Sequence, residues 1–592
     1  MELKQREDLR LILHREIPDD PVLRRQWNEL VFAMESPQVF YTYEWALAVN
    51  RAYKDSVTPL LWLGYEGERL VGVAALAESV ERPRCSFFLT ASTGDYCDLI
   101  CAPANAETFC EATLSDLRRR GYKDAILANA PADSPAIRAL LAMAGRFGYH
   151  LYSRTAYNCA QIALGDDEQR RELRSSITRR QLVRRQIASM SKIAAVSVEH
   201  DRECDQVTSF LPEFFRMHVA RFLGMGRVSN LVRPERRAFL RQVTSLLSAK
   251  GWMVNSRLML GNTPVAFNFG FSFGGSWFWY QPTFQCRAMK HSPGLCLLSR
   301  IVADACDTPH LQLVDLGLGA EEYKDRFSNR STETLYITLH TSKVFHLKEV
   351  LRHRSTKLAS SSAAFDAFLR RLRDRIFKAR ERGLRHTGKA ILNTLCRGFF
   401  SEDEVLFYQW SAPSSVESAA FRLKPLEIED LADAAMEHCD DSETQAYLFR
   451  AAERLQAGQA HGYVLLAGDH HPVHFCWVTD FNGFYMAELD HVLSAPDRNL
   501  SLIFDCWTPR SARGNNHYPR AISMLAAQVN TNGSRPWIFG AKSNDASIGG
   551  IVRAGFELQF SIVRKRVLFR RRLMRSSVQT SSSGWDQAIV AA

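Results

Sequence analysis

The chain has 592 residues, 75 Lys and Arg against 64 Asp and Glu, a net charge of +11, and 46% hydrophobic residues. A chain of this length exceeds one hydrophobic core, so roughly three or four domains are expected, and the composition excludes a largely disordered chain. The basic balance admits nucleic acid, anionic lipid or a phosphorylated ligand as partner without choosing among them.

The opening MELKQREDLRLILHREIPDD mixes charges and lacks the apolar core of a signal segment, and no run approaches the ~18 apolar residues that cross a bilayer. A cytoplasmic protein is expected, with peripheral contact at the inner membrane face still open to it. The 13 cysteines include no CxxC pair and no Cys/His grouping. Cys286, Cys296 and Cys306 match no metal geometry, and His470, His471 and His474, at the tip and start of a hairpin, lack a further ligand. No metal site is expected.

In chain order, Pro21 to Met34 reads as a helix. Leu61-Trp-Leu-Gly-Tyr65 and Leu70-Val-Gly-Val-Ala-Ala-Leu76 flank Glu66-Gly67-Glu68, a strand–turn–strand signal. A basic stretch, Arg170 to Lys192, follows. Arg233 to Ala249 is amphipathic, with Phe239, Leu240, Val243, Leu246 and Leu247 on one face. A second hairpin pairs Arg257-Leu-Met-Leu260 with Val265 to Phe271 across Gly261-Asn262. Residues 355–364 read as a linker. The arginine-dense stretch Phe365 to Arg397 carries an apolar stripe of Phe365, Phe368, Leu369, Leu372 and Ile376, a pattern of membrane-surface or polyanion contact that also fits packing on a neighbouring domain. Ile428 to His438 is a further helix. The third hairpin pairs Tyr463 to Ala467 with Val473 to Val478 across Gly468-Asp469-His470. The hairpins recur about every 200 residues, a domain-sized period that signals duplication rather than a solenoid. Helix, hairpin, strand, helix, strand implies an α/β or α+β layer with a central sheet.

Strand Leu502 to Trp507 runs into Pro509-Arg510-Ser-Ala-Arg513-Gly514-Asn515-Asn516-His517 and then a helix to about Val529. Such a strand–loop–helix presents free backbone N–H groups and the positive end of a helix dipole, which suits a pyrophosphate. Strand Trp537 to Gly540 and the run Asn544-Asp-Ala-Ser547 to Ala554-Gly555-Phe556 complete the pattern. This order resembles the second half of a GNAT acyltransferase. The resemblance implies that Arg513, Gly514 and Asn516 belong to the loop that holds the pyrophosphate of acyl-CoA. It places Asn544 and Ser547 beside the pantetheine arm. Asn516 and Tyr518 stand where small residues are usual in that family, and Tyr518 is expected to crowd the phosphate.

The middle of the chain reads Pro264 to Phe271, Trp277-Phe-Trp-Tyr280, His291-Ser292-Pro-Gly294, Val314-Asp315-Leu-Gly317, then Glu321-Glu322-Tyr323-Lys324. It resembles a BioF2-like (CelD/BcsL-type) acetyltransferase domain, found with bacterial polysaccharide biosynthesis. That likeness assigns Ser292 and Gly294 to a cofactor loop. Phe40-Tyr-Thr-Tyr-Glu-Trp45 and Gly94-Asp-Tyr-Cys-Asp98 resemble the N-terminal half of such proteins, and two GNAT-like halves in tandem is also the FemABX layout. Acyl transfer needs a base for the attacking group and a proton for the leaving thiolate. Asp315 or Glu322 is the candidate base, Tyr280 or Tyr323 the candidate acid, and Lys324 an electrostatic clamp.

The expected fold is thus α/β (α+β), tandem GNAT-like units with mixed central sheets flanked by helices. The units are 1–165, a BioF2-like unit 166–345 with a basic lead-in helix, a linker and basic helix 346–400, a C-terminal GNAT domain 401–575 and a disordered tail 576–592. The expected function is acyl transfer from acetyl-CoA or another acyl-CoA to an amino or hydroxyl group, of a sugar or a polysaccharide or cell-envelope precursor. Two alternatives stand beside it. One is a Fem-like transferase that uses aminoacyl-tRNA, with the basic stretches on RNA phosphate. The other is a non-catalytic GNAT-fold assembly protein, at the membrane through residues 365–376.

Overall fold

A computed structural model describes residues 9–319, 321–360, 400–411, 420–458, 460–468, 471–495, 499–567 and 570–577. The basic stretch 365–397 and the tail from 578 onward lie outside the described residues. The chain divides into two compact units, 1–221 with 233–358, and 222–232 with 359–592.

The first unit opens with strands β1 (Arg10–His14), β2 (Val57–Glu66), β3 (Arg69–Ser79), β4 (Arg82–Phe88), β5 (Ile100–Cys101), β6 (Asp124–Pro131) and β7 (His150–Ala163). Helices α1 (Pro21–Phe32), α2 (Tyr43–Ala52), α3 (Ala106–Arg119) and α4 (Pro135–Met143) accompany them. Next come α5 (Asp167–Arg179), α6 (Gln181–Ser191), β8 (Val196–Asp201), α7 (Cys204–Gly224) and α8 (Pro234–Ser248). Then follow β9 (Met253–Leu260), β10 (Thr263–Phe273), β11 (Ser276–Phe284), α9 (Pro293–Cys306), β12 (Leu313–Asp315), α10 (Glu322–Phe327), β13 (Arg330–His340) and α11 (Lys343–Ser360).

One mixed sheet of 13 strands spans this unit, in the order β1-β2-β3-β4-β6-β13-β7-β12-β11-β10-β9-β8, with β5 on β3. Two strands bind its halves together. β7 leaves the first half and ends beside β12, where Gln161, Ile162 and Ala163 pair with Asp315, Val314 and Leu313. β13 returns from the second half and inserts between β6 and β7. The first half therefore completes its sheet with a strand drawn from beyond residue 329. Each half keeps its own apolar core. One is built on Trp62, Phe109 and Leu127, the other on Val254, Ile301 and Val314.

The stretch 170–192 forms α5 and α6, and part of its charge is structural. The buried Arg170 donates to the carbonyls of Gly165, Thr308 and Leu311, which fastens α5 to the end of α9. Arg174 pairs with Asp307 at 2.9 Å. Arg171, Arg179, Arg184 and Arg185 stay exposed.

The second unit contains β14 (Phe400–Trp410), β15 (Phe421–Pro425), α12 (Ile428–Glu437), α13 (Ser442–Ala457), β16 (His461–Ala467), β17 (His471–Asp480), β18 (Phe484–Met486) and β19 (His491–Leu493). It ends with β20 (Leu500–Trp507), α14 (His517–Thr531), β21 (Arg535–Ala541), α15 (Asp545–Arg553), β22 (Phe556–Val567) and β23 (Arg570–Ser577). Its eight-stranded sheet runs β15-β16-β17-β20-β21-β14-β22-β23, and β18 with β19 forms a separate ribbon.

The three hairpins expected from the sequence are β2–β3, β9–β10 and β16–β17. Gly67, Gly261 and Gly468 sit in their turns at φ 58°, 61° and 59°. That left-handed backbone carries no steric cost only for glycine, so the same turn chemistry recurs in each hairpin. Among the described residues no helix is long and apolar enough to cross a membrane.

Candidate active site

In the second unit the parallel strands β20 and β21 pair only from Leu500–Ile503 to Arg535–Ile538 and then part. Asp505, at φ 44°, marks the divergence. Beyond it the facing edge of β20 is free to pair with another extended chain. An open cleft of about 1540 Å³ occupies this wedge. It runs from Arg513, Gly514 and Asn516 past Cys506 and Ile538 to Phe484, Arg454 and Asp505.

The first end combines an uncapped helix start with Arg513, which pairs with Glu443 at 3.9 Å. Asn516, at φ 57°, starts α14, and no side chain caps the first turn. The leading N–H groups of the helix are unpaired within it, and its dipole is positive there. Arg513 Nε donates to the Thr508 carbonyl at 3.1 Å, and its guanidinium lies 5.2 Å from the Trp507 ring centre. Gly514, at φ 88°, faces open space.

Tyr518 does not project over this loop. Its ring folds onto α15, so close that a Cβ on Gly550 would meet it at 2.5 Å. Its hydroxyl lies 3.2 Å from Ser547 Oγ. The expected crowding of the phosphate gives way to packing between two helices. Asn544 caps α15 by accepting the Ser547 N–H at 3.1 Å, so Asn544 and Ser547 meet at the wall of the cleft.

His474 lies inside, its Nδ1 2.7 Å from Thr508 Oγ1, and burial drives its pKa down to about 3. It is therefore neutral at physiological pH. His471 is exposed near Glu437, and His470 lies outside the described residues. No cluster of three or more metal-ligating side chains forms among the described residues.

In the first unit β11 and β12 also pair briefly, Ser276–Phe278 with Leu313–Asp315, and then separate. This gap is closed by side chains. Trp279 Nε1 donates to the Tyr323 hydroxyl at 3.1 Å, and Lys324 Nζ donates to the Leu318 carbonyl at 2.6 Å. Lys324 also pairs with Glu321 at 3.0 Å. Asp315 is 1% exposed. It accepts from Tyr96 Oη at 3.0 Å, Gln161 Nε2 at 2.8 Å and the Gly317 N–H at 2.7 Å.

Glu322 points away, 91% exposed and 3.6 Å from Arg326. Tyr280 alternates to the opposite face from Trp279 and takes a hydrogen bond from the buried Arg236 at 2.6 Å. Ser292, at φ 45°, precedes α9 with no side-chain cap bond, and Gly294 approaches Phe284. The structure thus brings Asp315, Tyr323 and Lys324 to one region and leaves Glu322 and Tyr280 outside it. Gln161 and Arg236 carry no local sequence signal, and Tyr96 enters the sequence reading only within Gly94 to Asp98, because nothing local ties these three to Asp315 or Tyr280. In the second unit Arg454 and Asp505 stand outside the site read from sequence, and His474 enters that reading only within a histidine group set aside as a metal site. The one local signal was an Asp inside the apolar strand Leu502-Ile-Phe-Asp-Cys-Trp507.

The family model described as an acetyltransferase (GNAT) domain matches residues 178–325. Among solved structures, FemX is 10% identical and covers 53% of this chain and 95% of its own, with a TM-score of 0.39. The C-terminal domain of a putative lysylphosphatidylglycerol synthetase from Agrobacterium fabrum is 10% identical and covers 55% of this chain and 94% of its own, with a TM-score of 0.36. A tandem GNAT protein from the clavulanic acid biosynthesis pathway is 14% identical and covers 56% and 99%, with a TM-score of 0.34. At these scores none of the three bears on substrate or mechanism. No curated protein matches in sequence. The chain carries a GNAT acetyltransferase domain in residues 178–325, and its enzyme class is acyl transfer.

Proposed function

We propose that the chain transfers an acyl group from acetyl-CoA, or another acyl-CoA, to an amino or hydroxyl group, and that the reaction runs in the cleft of the second unit. One observation carries this reading. The parting of β20 and β21 opens onto the uncapped N-terminus of α14. Pyrophosphate would lie on that helix end with Arg513, Gly514 and Asn516 around it. An amide-bearing arm would pair with the free edge of β20, beside Asn544 and Ser547. The thioester would then reach the Asp505 end, where the acceptor attacks the carbonyl carbon, the C–S bond breaks, and the acceptor's proton ends on the CoA thiolate.

In the first unit the side chains that fill the gap between β11 and β12 favour a positioning role for Asp315, Tyr323 and Lys324. The likeness of that unit to polysaccharide-biosynthesis domains favours a sugar or cell-envelope acceptor in the cytoplasm, with peripheral membrane contact.

The test is calorimetric titration of the full chain with acetyl-CoA and CoA. Saturable binding is expected, with Arg513→Ala weakening it about three- to tenfold through loss of a charged phosphate contact. Absence of binding by both ligands overturns the reading. Salt-sensitive tRNA binding in their place would support the Fem-like alternative, which the exposed Arg171, Arg179, Arg184 and Arg185 keep open.

A further inference from the structure

The far end of the cleft holds two opposite charges that none of the roles above employs. Arg454 projects from α13, and its guanidinium lies 4.9 Å from the Trp477 ring centre and 5.1 Å from that of Phe504. One of its terminal nitrogens hydrogen-bonds Asp505 Oδ2. Two aromatic contacts and a carboxylate set the orientation of a planar fork that has five N–H donors.

Asp505 is itself held in place. It lies two residues past the last β20–β21 pair, in left-handed backbone at φ 44°. Asp is among the few non-glycine residues that enter this region, and such geometry lasts only where the surroundings fix it. Here the Tyr447 hydroxyl donates to the Asp505 carbonyl at 3.2 Å, and Trp477 Nε1 donates to Tyr447 at 3.1 Å.

Both charged side chains line the cleft, Arg454 26% and Asp505 30% exposed. Among the described residues the second carboxylate oxygen and the other two guanidinium nitrogens have no hydrogen-bond partner. Phe484 packs edge-on against Phe504 at 4.9 Å, which walls the site on one side. The pair therefore presents one open acceptor and several open donors, side by side, where the acyl carbon is expected.

We propose that this pair recognises a zwitterionic acceptor, an amine with a nearby oxyanion, carboxylate or phosphate. The ammonium docks on Asp505 and releases one proton to solvent water before the amine attacks, its second proton going to the CoA thiolate, and the oxyanion docks on Arg454. The inference rests on the acyl-CoA reading of the same cleft. A simple cation meets repulsion from Arg454, and a simple anion meets it from Asp505. A molecule with both charges satisfies both, so discrimination comes from repulsion as well as attraction. A neutral sugar hydroxyl uses neither.

The test follows CoA thiol release by the full chain at saturating acetyl-CoA. One arm uses α-amino acids against their uncharged-end amides, and the other uses glucosamine 6-phosphate against glucosamine. At least one zwitterion is expected to exceed its partner in kcat/KM by about tenfold or more, and the arm in which it does so tells carboxylate from phosphate. Arg454→Met should raise KM for that acceptor about tenfold and erase the preference, with acetyl-CoA affinity unchanged, while Arg454→Lys recovers part of it. Asp505→Asn, of nearly the same shape, reads the contact from the ammonium side and should also raise KM.

Equal kcat/KM within both pairs overturns the proposal. So does a preference that survives both Arg454→Met and Asp505→Asn, or acetyl-CoA binding with no acceleration by any zwitterion. Failure to bind acetyl-CoA at all would instead remove the reading of the cleft, and this inference with it.

Discussion

Three donors converge on the Asp315 carboxylate, from Tyr96, Gln161 and Gly317. Two of them come from residues more than 150 positions earlier in the chain. Sequence marks Asp315 as an acid at a strand end near Tyr323 and Lys324, and the structure does bring those three together. It cannot show that the acid is saturated, because its partners are chosen by strand pairing and not by spacing. The same region holds carboxyls whose protonation is set by burial. Burial pushes Asp98 up to about 7, although the Ser134 hydroxyl at 2.9 Å and the Leu99 N–H at 2.8 Å pull it down. Burial and then the nearby Asp315 push Asp95 up to about 7 as well. A folded pKa above the unfolded one means that the folded chain keeps protons the unfolded chain has released. This stabilisation is fully present below about pH 4 and is lost as pH rises toward 7. The urea midpoint of the first unit should therefore fall between pH 5 and pH 8. Asp98→Asn, uncharged throughout, should make that fall shallower. An Asn variant with the same slope as the parent would remove Asp98 as a source of the effect.

At the scale of elements, local pattern carries far. Sequence places the helix after the Arg-Gly loop, helices α1, α8 and α12 and the paired strands themselves, because period and turn chemistry are local properties, whereas α2 and α13, directly before the first and third hairpins, are not read from it. The packing of α14 against α15 is different. Tyr518 lies in a loop-to-helix segment and reads as an obstacle to phosphate. It becomes a packing residue because Gly550, a turn along α15, leaves room for its ring. The two glycines at 549 and 550 look alike in sequence, yet only Gly550 meets Tyr518 at 2.5 Å, whereas Gly549 looks toward Arg553 at 3.6 Å. Gly550→Ala should destabilise the second unit by about 1–3 kcal/mol through overpacking. Gly549→Ala should cost far less. Thermal denaturation of both variants compares them, and Tyr518→Ala added to Gly550→Ala should return part of the loss. Equal effects at 549 and 550 would count against the clash.

For the whole molecule, the decisive feature is the exchange of β7 and β13. The composition and the hairpin period support units of about 200 residues, and residue 165 is a natural break because β7 ends at Ala163. The sheet crosses that break. β6 and β7 both pair with β13, so the first 165 residues alone leave both strands with an unpaired edge. A fragment of residues 1–165 should be aggregation-prone or unfolded, while 1–358 should give a folded product. Circular dichroism with limited proteolysis decides between them, and a stable, protease-resistant 1–165 fragment would count against the exchange as a requirement for folding.

Residue order alone was enough for the α/β class, the three hairpins, and the strand–loop–helix whose free amides suit a pyrophosphate. Each of these follows from side-chain periodicity, glycine turns and helix-end electrostatics within about 30 residues. Tertiary structure decided the rest. It chose β13 as the partner of both β6 and β7, filled the gap between β11 and β12 with Trp279 and Tyr323, and left the gap between β20 and β21 open. It also set Arg454 against Asp505, 51 residues away in sequence. These outcomes depend on which distant segments meet, and that is decided by chain closure and the burial of whole faces, whose free energy is shared among many residues and written in no single motif.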